Sequence, residues 1–265
     1  MAMTDTETST NPLRILCFGD SLTAGFHDFG MSFHPYSIAL TAKIRAALPH
    51  RTFEVHHNGK PGDVGAWTAF HERLKHECSK RHYDWVIILS GSNDLAYRVP
   101  PENMYEAFRL NWNVPLSRGS RVMALTIPEA KPRPAWVVED RNKVNEMIRN
   151  HRQPNFYAFD LYSKIPYHSL SEQDKELYWD DGLHMTAKGY DWMGEHIAEG
   201  FLAAFAQAEQ EQQAAAAAAT AAPAAPGPSR RERASTNDSE VMEEEGGNPG
   251  ILSKGYVVVR KRDLY

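Results

Sequence analysis

The chain has 265 residues, 42% of them hydrophobic and 24% charged, with a formal net charge of −5. This is the composition of an ordinary globular protein, long enough for one sizeable core. The negative balance argues against nucleic acid as the main partner, since phosphate binding needs a basic surface, and no apolar run approaches the roughly 20 residues that span a bilayer.

Residues 1–11 are polar and Thr-rich. They lack the apolar stretch of a signal peptide and read as a flexible N-terminus, which points to a cytoplasmic protein. From residue 12 onward, short apolar runs alternate with helix-like segments. Strands are expected at Arg14–Phe18, Thr52–His56, Trp85–Leu89, Arg121–Ile127 and Phe156–Leu161. Each is rich in Val, Ile, Leu or Phe, as in strands covered on both faces. Helices are expected at about 35–48, 63–81, 102–114, 138–152 and 186–206, with Pro49 just beyond the first and Pro100-Pro101 opening the third. The alternation predicts an α/β fold: a three-layer α/β/α arrangement around a five-stranded parallel sheet, flavodoxin-like in its order 2-1-3-4-5. Cys17 falls in a core strand and Cys78 on a helix, so both are expected to be reduced and structural.

Composition breaks after Gln207. Residues 12–207 are taken as the folded domain and 208–250 as a low-complexity, disordered tail. Within the tail, poly-Ala can prolong the last helix until Pro223 and Pro226 stop it. Residues 251–265 are β-prone and basic, either a frayed terminus or a short recognition segment.

The polar motifs sit where such a sheet would gather them. Gly19-Asp20-Ser21-Leu22 follows the first strand, Asn58-Gly59-Lys60-Pro61-Gly62-Asp63 the second and Gly91-Ser92-Asn93-Asp94 the third; Asp181-Gly182-Leu183-His184 precedes the last helix. Loops after parallel strands share the rim at which open α/β sheets bind ligands, so the first three motifs converge. Serine is a weak nucleophile until a base takes its proton, histidine suits that role near neutrality, and a carboxylate must hold the imidazole in the right tautomer. An amide side chain and backbone N–H groups can hold a developing oxyanion. Each motif also has a plainer reading: a strand-to-helix turn capped by Asp20 or Ser21, a polar turn at Gly91–Asp94, and a turn before a helix capped by Thr186.

These four blocks resemble those of the SGNH/GDSL hydrolase family of esterases and lipases. The resemblance implies Ser21 as nucleophile, His184 as general base and Asp181 as its orienting carboxylate. It also implies the Ser21 amide, the Gly62 amide and the Asn93 side chain as oxyanion donors. Gly59 is the alternative to Gly62, and Asp180 competes with Asp181. Thr23 stands where the nucleophile elbow of α/β-hydrolases needs glycine, which predicts a looser turn and a more open site. Phe26, in an aromatic-rich stretch that either walls a pocket or anchors the core, is a candidate substrate-binding residue together with Tyr97 and Trp179. His71 and His76 are five apart and miss the zincin spacing, while His56 and His57 point to opposite faces of a strand. No metal and no cofactor are expected. The implied activity is hydrolysis of small or medium carboxylic esters, with a small-molecule ester as the partner. The alternatives are acyl transfer by the same residues and a non-catalytic scaffold working through the tail.

Overall fold

The computed structural model describes residues 11–221. The chain divides into one unit at Met1–Ala216 and a second at Ala217–Tyr265; the fold below is that of the first, and the β-prone segment 251–265 lies outside the described residues. The elements are β1 (Leu13–Gly19), α1 (Ser21–Ala24), β2 (Phe26–His27), β3 (Ser32–Phe33), α2 (Ser37–Ala47), β4 (Phe53–Gly59), α3 (Thr68–Lys80), β5 (Trp85–Leu89), α4 (Ser92–Ala96), α5 (Pro101–Leu116), β6 (Arg121–Leu125), α6 (Ala135–Asn150), β7 (Phe156–Phe159), α7 (Leu161–Lys164), α8 (Glu172–Tyr178) and α9 (Ala187–Ala221).

Five strands form one sheet in the order β4-β1-β5-β6-β7, every pairing parallel. Counting only these five, the order is the expected 2-1-3-4-5. Alternate side chains of a strand face opposite ways, and both faces are covered. Ile15, Cys17, Trp85, Ile87 and Met123 pack beneath Leu40 and Ile44 of α2 and Met193, Ile197 and Phe201 of α9. Leu16, Phe18, Val86, Ile88 and Val122 pack beneath Phe70 of α3, Phe108 and Trp112 of α5, and Val144 and Ile148 of α6. All five residues of β5 are buried, which accounts for its unbroken apolar run. Cys17 and Cys78 are free and buried.

Several boundaries differ from expectation. β4 reaches Gly59, so Asn58 and Gly59 belong to the strand and not to the loop behind it. The helix expected from 63 begins at Thr68, since 63–67 form the turn that carries Asp63. β6 and β7 stop at Leu125 and Phe159. Just beyond them the Thr126 hydroxyl donates to Asp160 at 3.0 Å and the polar pair ends both strands. The composition break at Gln207 does not end the last helix: Ala208 is buried and α9 runs to Ala221, in keeping with the helix propensity of alanine. The β2–β3 hairpin and the short helices α4, α7 and α8 were not anticipated. No helix among the described residues is long and apolar enough to cross a membrane.

Candidate active site

The nucleophile candidate depends on a helix cap. Asp20, between β1 and α1, accepts the N–H of Leu22 at 3.0 Å and starts the one-turn helix whose first residue is Ser21. The plain capping reading and the chemical one therefore describe the same turn. α1 lies directly on the strand ends. Gly19 and Gly59 face each other in the ladder. A methyl at 19 would strike the Leu89 carbonyl and Thr23, and one at 59 would strike the α1 backbone at Ala24. Asp20 is fully buried, and its second carboxylate oxygen lacks a partner. Burial, reinforced by the charges of Asp94 and Asp63 against the Leu22 hydrogen bond, raises its pKa to about 7.

On the far side of the site, the segment before α9 folds back through a bridge between Trp179 and Met185. His184 Nε2 lies 3.0 Å from Ser21 Oγ, and His184 Nδ1 lies 2.8 Å from Asp181 Oδ2. A carboxylate can only accept, so the hydrogen sits on Nδ1 and Nε2 presents its lone pair to the Ser21 hydroxyl. The other Asp181 oxygen accepts the N–H groups of Leu183 (2.8 Å) and His184 (2.7 Å), so one carboxylate orients both the ring and the turn that bears it. Burial pushes the Asp181 pKa up, but these three hydrogen bonds and the His184 charge outweigh it and leave it lowered. Asp180 points elsewhere and accepts the N–H of Asp28 at 2.8 Å.

The third wall comes from the loops after β4 and β5. The Asp94 carboxylate accepts the N–H groups of Gly65 (2.9 Å) and Ala66 (2.7 Å), tying the two loops together. Asn93 donates one amide hydrogen to the Asp63 carbonyl at 2.8 Å, which fixes its side chain; the second hydrogen has no acceptor among the described residues. Of the two candidate glycines, Gly59 is locked in the ladder. Gly62 stands at an exposed turn with φ +76°, and its N–H makes no hydrogen bond among the described residues. The Ser21 N–H, first in its helix, has no intrahelical acceptor either.

Sequence reasoning missed Arg73 of α3. Its guanidinium donates to Asp63 (2.9 Å), to the Asn58 carbonyl (2.9 Å) and side chain (2.6 Å), and to the Gly19 carbonyl (2.7 Å), while lying 3.9 Å from the Phe18 ring centroid. One side chain thus holds the ends of β1 and β4 to the Asp63 turn. Its sequence signal was slight: one of several basic residues on an amphipathic helix, one position before the buried Leu74.

The aromatic candidates separate. The Phe26 ring centroid is 4.6 Å from that of His184 and walls the imidazole. Tyr97 is exposed and packs on Trp67, with centroids 4.9 Å apart. Trp179 is 4% exposed and packs edge-on against Tyr167, so it belongs to the core and not to a substrate wall. A cavity of about 270 Å³, also missed, opens beside Asn93 and Leu183 and is walled by Ile127, Pro128 and Trp136. Its signal was the prolines at 128, 132 and 134, crowded behind the fourth sheet strand on the same rim.

A family model described as the GDSL-like lipase/acylhydrolase family matches residues 17–192. Among solved structures, the chain is similar to a lipase/acylhydrolase from Enterococcus faecalis, at 25% identity and a TM-score of 0.54, covering 70% of this chain and 93% of that one. It is also similar to a carbohydrate esterase family 3 protein from Talaromyces cellulolyticus, at 13% identity and a TM-score of 0.55, covering 72% and 96%. A third, TesA, shares 17% identity at a TM-score of 0.55, covering 72% and 99%. At their low identity, the last two show likeness of fold. No curated protein matches the chain.

Proposed function

The chain belongs to the GDSL-like lipase/acylhydrolase family and is thus a hydrolase of the esterase and lipase type; from that premise, we propose that it cleaves small or medium carboxylic esters, with acetyl or other short acyl groups, through an acyl-enzyme intermediate. The Ser21 hydroxyl attacks the ester carbonyl while His184 Nε2 removes its proton, and Asp181 steadies the imidazolium that results. The carbonyl oxygen becomes an oxyanion held by the N–H groups of Ser21 and Gly62 and the free amide hydrogen of Asn93. Collapse expels the alcohol, which takes its proton from His184. Water, deprotonated by the same imidazole, then attacks the acyl-serine, and the acid leaves.

The observation that carries this reading is the continuous relay from Asp181 to His184 to Ser21, at 2.8 and 3.0 Å. Turnover of p-nitrophenyl acetate and butyrate by Ser21→Ala tests it. The variant should be inactive while remaining folded; turnover like that of the parent protein would remove Ser21 from the reaction.

A further inference from the structure

The cavity beside Asn93 is mostly apolar, but its wall includes one cation. Arg141, on α6, contributes to its wall and is 2% exposed. An arginine so buried is normally forked onto a carboxylate. Here the guanidinium makes no hydrogen bond and no ion pair among the described residues, and Nε is sealed without a partner. The Tyr162 ring lies 5.3 Å from the guanidinium carbon to the centroid. The Glu129 carboxylate feels the charge of Arg141, but it accepts the N–H groups of Tyr167 and His168 and the Tyr162 hydroxyl and makes no ion pair with Arg141 among the described residues. Arginine cannot shed its proton. The fold therefore holds a permanent cation, with unused planar donors, in the wall of a cavity that opens next to the oxyanion side chain. The cavity is roughly twice the size of an engineered one that accepts benzene, so it has room for a short chain with a polar end.

We propose that this cavity is a subsite for a carboxylate carried by the substrate, and that Arg141 selects esters bearing such a group over neutral esters of the same length. The inference rests on the esterase reading and adds the class of substrate to it. A carboxylate matches the flat guanidinium with two parallel hydrogen bonds, and pairing would remove the cost of an uncompensated buried charge.

The test compares two pairs of esters by pH-stat: monoethyl glutarate against ethyl valerate, with the charge on the acyl side, and 4-acetoxybutanoate against butyl acetate, with the charge on the alcohol side. The protein should favour the charged member of at least one pair by about 30-fold or more in kcat/KM. In Arg141→Met the charged-to-neutral ratio should fall by a similar factor, mainly through KM, and Arg141→Lys should restore part of it. Arg141→Met should also melt no lower than the parent protein, because methionine fills the space without a buried charge. A lower melting temperature with an unchanged ratio would make Arg141 structural and overturn the proposal, as would a parent protein that favours neither charged ester. If the parent protein cleaves none of the four esters, the esterase reading fails first. Calorimetric titration with glutarate then judges the subsite alone: binding that is lost in Arg141→Met sustains it, and no binding to the parent protein ends it.

Discussion

The hydroxyl of Ser21 and the imidazole of His184 stand 3.0 Å apart although 163 positions separate them in the chain. Ser21 rides on the end of the sheet's second spatial strand, and His184 arrives on a loop held by its own aspartate. Replacing Ser21 by Ala should lower kcat/KM for short p-nitrophenyl esters by about 10⁴-fold or more and abolish labelling by a fluorophosphonate probe. Persistent labelling would mean that another residue attacks.

Asp181 and Asp180 are neighbours with different partners, so their amide variants should separate. Asp181→Asn offers His184 a donor as well as an acceptor and lets the wrong tautomer form. Its kcat should drop by about 10²- to 10⁴-fold. Asp180→Asn keeps an amide oxygen that can accept the Asp28 N–H and should stay within about fivefold of the parent protein. Steady-state kinetics on one ester measures both, and the reverse ranking would move the orienting role to Asp180.

The proposed oxyanion donors differ in what their loss should do. Asn93→Ala should cost about 10²- to 10³-fold in kcat with little change in KM. At Gly62 an added Cβ meets nothing within 4 Å, yet φ is +76°. Gly62→Ala should therefore lower stability by about 1–2 kcal/mol through backbone strain alone, and reduce kcat insofar as the turn relaxes and swings its N–H away. Denaturant unfolding beside kcat measurements separates the two effects.

Arg73 is a positioning residue. Arg73→Met leaves the buried Asp63 carboxylate without its guanidinium and releases the Asn58 and Gly19 carbonyls. Breaking a buried pair by removing one partner costs about 3–5 kcal/mol. Because Asp63 also anchors the Asn93 side chain, kcat should fall even at temperatures where the variant is fully folded. Unfolding curves and kcat at 15 °C test this, and a stable, fully active variant would contradict it.

Asp20 makes stability depend on pH. Its pKa rises from 3.8 to about 7 on folding, so between those values the native state keeps a proton that the unfolded chain has released. Stability therefore declines as pH rises through that window and levels off above it. Asp20→Asn keeps a capping oxygen and removes the ionisation. It should raise stability at pH 8 by about 4 kcal/mol, read as a higher melting temperature, and change it little at pH 4. An equal gain at both pH values would trace the effect to packing.

Much of this was legible in the chain. Strands covered on both faces write themselves as unbroken apolar runs, so β1, β5 and the sheet order could be read from Ile15–Phe18, Trp85–Leu89 and the helices between. The site blocks were legible because each is local: a cap at Asp20, a turn at Gly62, an aspartate three residues before its histidine. The element ends were harder, because polar residues such as Asn58 pair in a ladder as readily as apolar ones, and because Thr126 and Asp160 stop two strands through a contact 34 positions long.

What the residues determined by themselves is the set of candidate reactive groups and the rim on which they would meet, since alternation in a parallel sheet sends every loop of one kind to one edge. Only the folded structure decided which of two adjacent aspartates faces the imidazole, which of two glycines keeps a free N–H, and that Trp179 belongs to the core. It also decided that Arg73 and Arg141, alike in sequence as basic residues on amphipathic helices, end in opposite circumstances: one is saturated with acceptors and the other has none among the described residues. Such differences depend on distances between segments far apart in the chain, and no local pattern encodes those distances.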